Sequence, residues 1–178
     1  MPGSPFSSLS PDDAEVAVRS FPRRFREAAS AAAVTLDDEP DEADVDEVAN
    51  RPGVDGRSGL DHVATAAARL DAACRALRTA VVSPTARIDH TLLEDAPPAS
   101  VPDHSGHLEA ELDGLERAAS ALAEVTGAAD ANQWLATRPT TASGSASPLA
   151  LLQATVGVVL DHLRALERVL REVRGRPA

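Results

Sequence analysis

The chain has no lysine and no tyrosine, a single cysteine, a single methionine, a single tryptophan and three phenylalanines in 178 residues. Each shortage excludes something. One cysteine, Cys74, rules out an internal disulfide. Without lysine, a Ser-x-x-Lys nucleophile is impossible, and all 17 cations are arginines set against 28 carboxylates. The resulting net charge of -11 disfavours nucleic acid and anionic lipid as partners. The scarcity of aromatics argues against a sheet-rich fold. No apolar run of the roughly 18–20 residues needed to cross a bilayer is apparent, so no membrane partner is expected. Met1 to Ser10 has neither a basic start nor an apolar stretch, so a signal peptide is not expected and a cytoplasmic location is.

What is abundant is Ala, Leu and Val at helical spacing. The clearest case is Ser147 to Arg174, with apolar residues at Leu149, Leu152, Val156, Val159, Leu163, Leu166, Leu170 and Val173. Steps of three and four keep one helix face apolar over the whole stretch. Ser147 is a suitable N-cap, Pro148 suits the first turn, and Gly175 and Pro177 are stop signals. An earlier helix is predicted from Ser10-Pro11-Asp12-Asp13, with Ala14, Val18, Phe21, Phe25, Ala28 and Ala32 facing inward; Pro22 predicts a kink or break within it. A second runs from the Ser58 cap, with Asp61 three residues on, along Leu60, Val63, Ala67, Leu70, Cys74, Leu77 and Val81 to Ser83-Pro84. A third is expected from about Asp103 to Thr126, with Leu108, Leu112, Leu115, Ala119 and Leu122 inward and Gly127 closing it.

These patterns predict an all-α four-helix bundle in one domain, residues 10–175, behind a loose tail at 1–9. Long loops join the second helix to the third and the third to the fourth. The acidic connector at about 37–50 has no mid-loop glycine and does not fit a calcium loop, so it reads as a solvated segment with one short helix near Glu42 to Ala49.

Little in the sequence carries chemistry. There is no His-Glu-x-x-His, Cys-x-x-Cys or phosphate loop, and Gly144-Ser145-Ala146-Ser147 is not a nucleophile elbow. Cys74 lies on an apolar stripe and reads as an inert buried thiol. His104 and His107, at i,i+3, could share a helix face as metal ligands, but they sit at a helix start beside Gly106, where exposed histidines are common. His62 and His162 are the sharper candidates. Each precedes a stripe residue, Val63 or Leu163, and so flanks a buried face. If their helices are neighbours, both imidazoles line one hollow; the alternative is two boundary histidines with no common role.

His62-Val63-Ala64, the Trp134 segment and Asp161-His162-Leu163 together resemble the DinB-like superfamily. This group includes mycothiol-dependent maleylpyruvate isomerase relatives and YfiT-type bacillithiol transferases. The resemblance spans most of the chain and lies in pattern more than in identical residues. It implies a bundle holding a divalent metal, zinc or nickel, on three ligands, with a small-molecule thiol such as mycothiol as the partner. His62 matches the first ligand and His162 the last. The middle ligand belongs four residues before His162, where this chain has Val158, and Asp161 points about 100° away around the helix. Aligning Ser58 to a family Trp-Ser-x-x-Glu motif would instead put Thr65 at the first ligand position. The helical wheel sets Thr65 opposite the stripe, which favours His62. The expectation is a divergent DinB-like protein with an incomplete metal site. Either it is a metal- and thiol-dependent transferase or isomerase, or it is a non-catalytic helical module acting through a partner or a homodimer.

Overall fold

The computed structural model describes residues 8–33, 42–94 and 101–174. Among these are four long helices: α1 (Pro11–Ala33), α3 (Gly59–Val82), α4 (Leu108–Ala128) and α6 (Pro148–Arg174). Two short ones, α2 (Glu42–Asn50) and α5 (Ala131–Leu135), lie between them. Both α1 and α3 pack against α4 and α6, so each long helix has two long neighbours. Their buried apolar side chains form one cluster, which also takes in Ala49 of α2, Trp134 of α5 and Ile88 of a loop.

The caps follow the local chemistry. The Ser10 hydroxyl accepts the Asp13 N–H at 3.1 Å, and Ser58 and Asp61 form a reciprocal capping box at the start of α3. The Ser147 hydroxyl accepts the Ala150 N–H at 3.1 Å. The stop signals at Gly175 and Pro177 lie outside the described residues, as do residues 1–7 of the tail and 37–41 of the acidic connector. The connector's short helix is present as α2.

Several expectations need correction. Of the kink or break expected at Pro22, the break does not occur: α1 runs as one helix through it. The missing N–H costs one backbone bond, but Phe21 and Phe25 on either side are fully buried, and their anchoring outweighs that loss. The third predicted helix begins at Leu108 rather than Asp103, because Gly106 turns with φ +82° and Asp46 of α2 accepts the Leu108 N–H at 2.7 Å. Gly127 does not close it, and the helix continues to Ala128. No uninterrupted apolar run of 18–20 residues occurs in α6, although Pro148–Val173 is long and apolar enough to cross a membrane by length and composition alone. Its most apolar 18-residue stretch is 61% buried inside the protein, as in a core helix.

The two long loops are stitched together. Arg138–Pro139 pairs antiparallel with Ser145–Ala146. Ile88, fully buried, donates its N–H to Pro139 O at 2.9 Å and accepts from Thr141 N at 2.9 Å. The single tryptophan is carried by α5, whose start is capped by Asp130 and Gln133, and is 2% exposed.

If tertiary anchoring holds α1 together across Pro22, a Pro22→Ala variant gains a helix bond with no packing to rebuild. Thermal or denaturant unfolding is expected to show a gain of about 1–3 kcal/mol. A loss of stability would mean that the proline ring itself is a packing element.

Candidate functional site

His62 stands one turn into α3, and the capping box that starts this helix sets its position. His162 stands in the middle of α6, on the side that faces α3. Because these two helices are neighbours, the imidazoles meet. Their Nδ1 atoms are 3.1 Å apart and their ring centroids 5.4 Å apart, with the planes tilted at 45°. Both residues are buried, at 3% and 8% exposure. At this distance one ring donates Nδ1–H and the other accepts on its lone pair. The two histidines singled out from sequence therefore share one hollow.

The electrostatics keep the pair neutral at ordinary pH. Burial pushes the His62 pKa down, only partly opposed by the charge of Asp55. Burial also lowers His162, to about 4, helped by repulsion from His62, Arg57 and Arg69. A buried hydrogen-bonded pair of neutral rings is far less costly than a buried imidazolium. Among the described residues the far nitrogen of His62, Nε2, has no hydrogen-bond partner, and the nearest carboxylate oxygen, Oδ2 of Asp55, is 3.9 Å away.

Asp55 sits in the turn between α2 and α3. Its Oδ1 accepts the Arg57 N–H at 3.1 Å and its Oδ2 accepts from Arg168 of α6 at 3.2 Å. Burial works against its charge, but the Arg57 N–H, His62 and Arg168 outweigh that and leave its pKa below the usual carboxylate range. Nothing in the sequence marked Asp55 as part of this site. It lies seven residues before His62, across a glycine turn, and only the fold brings it near.

The donor set can be tested against a three-ligand metal centre. Two nitrogens bound to one tetrahedral ion at ligand distances near 2.0–2.1 Å would stand roughly 3.3 Å apart, so the 3.1 Å separation suits two ligands of one ion. The number of donors does not suit three. Position 158 presents a buried isopropyl group, and the exposed Asp161 carboxylate pairs with Arg164 at 3.0 Å. Among the described residues no group of three or more His, Cys, Asp or Glu side chains could hold an ion. The residues present do not fit such a centre.

The alternatives fare no better. Thr65 is buried at 3% exposure, not turned away as the helical wheel suggested; α3 packs against α2, α4 and α6, so more than one stripe of it is covered. Its hydroxyl donates to the Asp61 carbonyl at 2.6 Å. His104 and His107 precede α4 instead of sharing a turn of it. His104 Nε2 lies 3.2 Å from Asp61, and His107 Nδ1 lies 2.8 Å from Asp46. Cys74 is buried, and burial raises its thiol pKa, as an inert thiol requires. A surface groove of about 390 Å³ between α1 and α6, lined by Arg24, Glu27, Leu163 and Glu167 among others, includes neither His62 nor His162.

Comparison with protein-family models, with curated proteins and with solved structures finds no match for this chain.

The neutral pair makes a pH prediction. Both folded-state pKa values lie below the ordinary 6.5, so between about 6.5 and 4 the unfolded chain binds more protons than the folded one. Stability therefore rises with pH through this window and is lost as pH falls, by an amount of order 3 kcal/mol for His162. Denaturant unfolding from pH 7.5 to 4.5 should show this slope. The double variant His62→Leu with His162→Leu should flatten it, and an equal slope in that variant would assign the effect to other groups.

Proposed function

We propose that the chain is a divergent DinB-like four-helix bundle whose metal- and thiol-dependent transfer centre has decayed to a two-histidine remnant. In this reading the protein is a non-catalytic helical module, acting through a partner or as a homodimer. The single observation that carries the proposal is the meeting of His62 and His162 from α3 and α6, with the Val158 side chain buried one turn before His162. A position for two ligands without the third is what loss of a three-ligand centre would leave. The packing of α1 and α3 on both α4 and α6 agrees with a bundle, and the mutual Nδ1 contact gives the two rings a role that needs no ion.

A second reading keeps weak activity: a divalent ion, zinc or nickel, held by the two imidazoles and serving a mycothiol-dependent transferase or isomerase. The 3.1 Å spacing favours it, since opening by a few tenths of an ångström would admit an ion. A metal there would lower the pKa of a bound thiol. Two protein ligands, however, would hold it poorly.

Metal analysis after mild purification separates the two. The remnant reading expects zinc and nickel well below one per chain and a concentration-dependent dimer in sedimentation. It also expects Val158→His to gain stoichiometric zinc with affinity at least about tenfold above the parent, because the missing donor is restored. Stoichiometric metal in the parent, lost in His62→Ala and in His162→Ala and accompanied by thiol transfer to an electrophile, would establish the second reading instead. If Val158→His folds yet takes up no more zinc than the parent, the assignment of position 158 to the missing ligand is wrong.

A further inference from the structure

His62 and His162 share one proton between their Nδ1 atoms, and two arrangements satisfy that bond. In the first, His162 donates, so His62 carries its own proton on Nε2 and His162 keeps a free lone pair on Nε2. In the second, His62 donates, and the free lone pair is on His62 Nε2. These are chemically different sites. The ring with the spare lone pair is the one that can accept a proton, a hydrogen bond or a bond to an electrophile.

The surroundings distinguish the two. The carboxylate oxygen nearest His62 Nε2 among the described residues is Oδ2 of Asp55, 3.9 Å away, and no described group makes a hydrogen bond to that buried nitrogen. A lone pair on that buried nitrogen would face the Asp55 carboxylate, itself 40% exposed, whereas an N–H there would be attracted to it. Asp55 is held in place by the Arg57 N–H and by Arg168, so it cannot readily turn aside. The rest of the neighbourhood does not compete. Asp61 is taken up by Ser58 N–H and His104, and Asp161 by Arg164.

We infer that Asp55 is a positioning residue that sets the tautomers of the pair, holding the proton on His62 Nε2 and leaving His162 Nε2 as the one basic nitrogen. Arg168 and His62 then both direct N–H groups at Asp55, and His162 donates Nδ1–H to His62 Nδ1, which leaves the free lone pair at the far end, on His162 Nε2. Such a nitrogen takes a small hydrogen-bond donor, a thiol S–H or a water O–H. His162 is the reactive member of the pair and His62 its support. This inference rests on the same two histidines as the remnant reading, but not on the presence or loss of a metal.

The experiment is imidazole nitrogen NMR on the full-length, nitrogen-15-labelled chain at pH 7, after chelation to remove adventitious ions. Long-range proton–nitrogen correlations report which nitrogen of each ring is protonated. The expected pattern is His62 protonated on Nε2 and His162 on Nδ1, in excess over the reverse by roughly tenfold or more. Asp55→Asn keeps an acceptor for the Arg57 N–H but removes the charge, and should collapse or invert this ratio; Asp55→Ala should collapse it. Two results overturn the inference in the parent protein alone: His62 protonated on Nδ1, or both rings protonated on Nε2. An unchanged ratio in both Asp55 variants overturns the role of Asp55. None of these results alters the metal measurement, so failure here and failure of the remnant reading remain distinguishable.

Discussion

The close approach of the start of α3 to α6 is the constraint on which the rest of the arrangement depends. Gly59, the first residue of α3, packs tightly on α6: a Cβ there would stand 3.1 Å from Leu166 Cδ1 and 3.3 Å from Leu170 Cδ2, so these leucines would have to give way to a side chain. At Gly53 in the preceding turn, a Cβ would meet Val169 Cγ2 at 2.9 Å. Two glycines thus let the α2–α3 turn and the first turn of α3 press onto the apolar face of α6. That contact carries Asp55 within reach of His62 and Arg168, and brings His62 to His162. A wider separation would leave two boundary histidines with water between them.

A polar pair inside such a seam has to be satisfied from within. Each imidazole has two nitrogens, and the shared Nδ1 bond accounts for one on each ring. Removing one ring alone would strand the other, and the penalty for an unpartnered buried group is typically larger than the net gain from the bond itself. This asymmetry gives a reason for the two histidines to persist together even where no ion is bound. It also explains why the pair resists protonation: a charge on either ring would be buried beside another imidazole and near Arg57.

Much of the fold was legible because it rests on local chemistry repeated along the chain. The capping serines at 10, 58 and 147, the leucine and valine stripes, and the short helix in the acidic connector all follow from side chains within a few residues of one another. The misreadings have a common origin in contacts between distant segments. The start of α4 is delayed because Asp46, some sixty residues earlier, supplies its cap. Pro22 is tolerated because the phenylalanines beside it are buried by other helices. Thr65 lies on a face that a single-helix wheel leaves open but that neighbouring helices cover.

The candidate site divides in the same way. The sequence by itself determined which histidines flank apolar faces, and that position 158 offers no ligand, because periodicity fixes the direction of a side chain around its own helix. Only the tertiary structure decided that the two rings meet at 3.1 Å, that Asp55 and Arg168 stand behind them, and that His104 and His107 are engaged elsewhere. The physical reason is that helical spacing specifies an angle about one axis and carries no information about the distance between two. That distance is set by how closely helices can pack, and here it is set at Gly53 and Gly59 against Leu166, Val169 and Leu170.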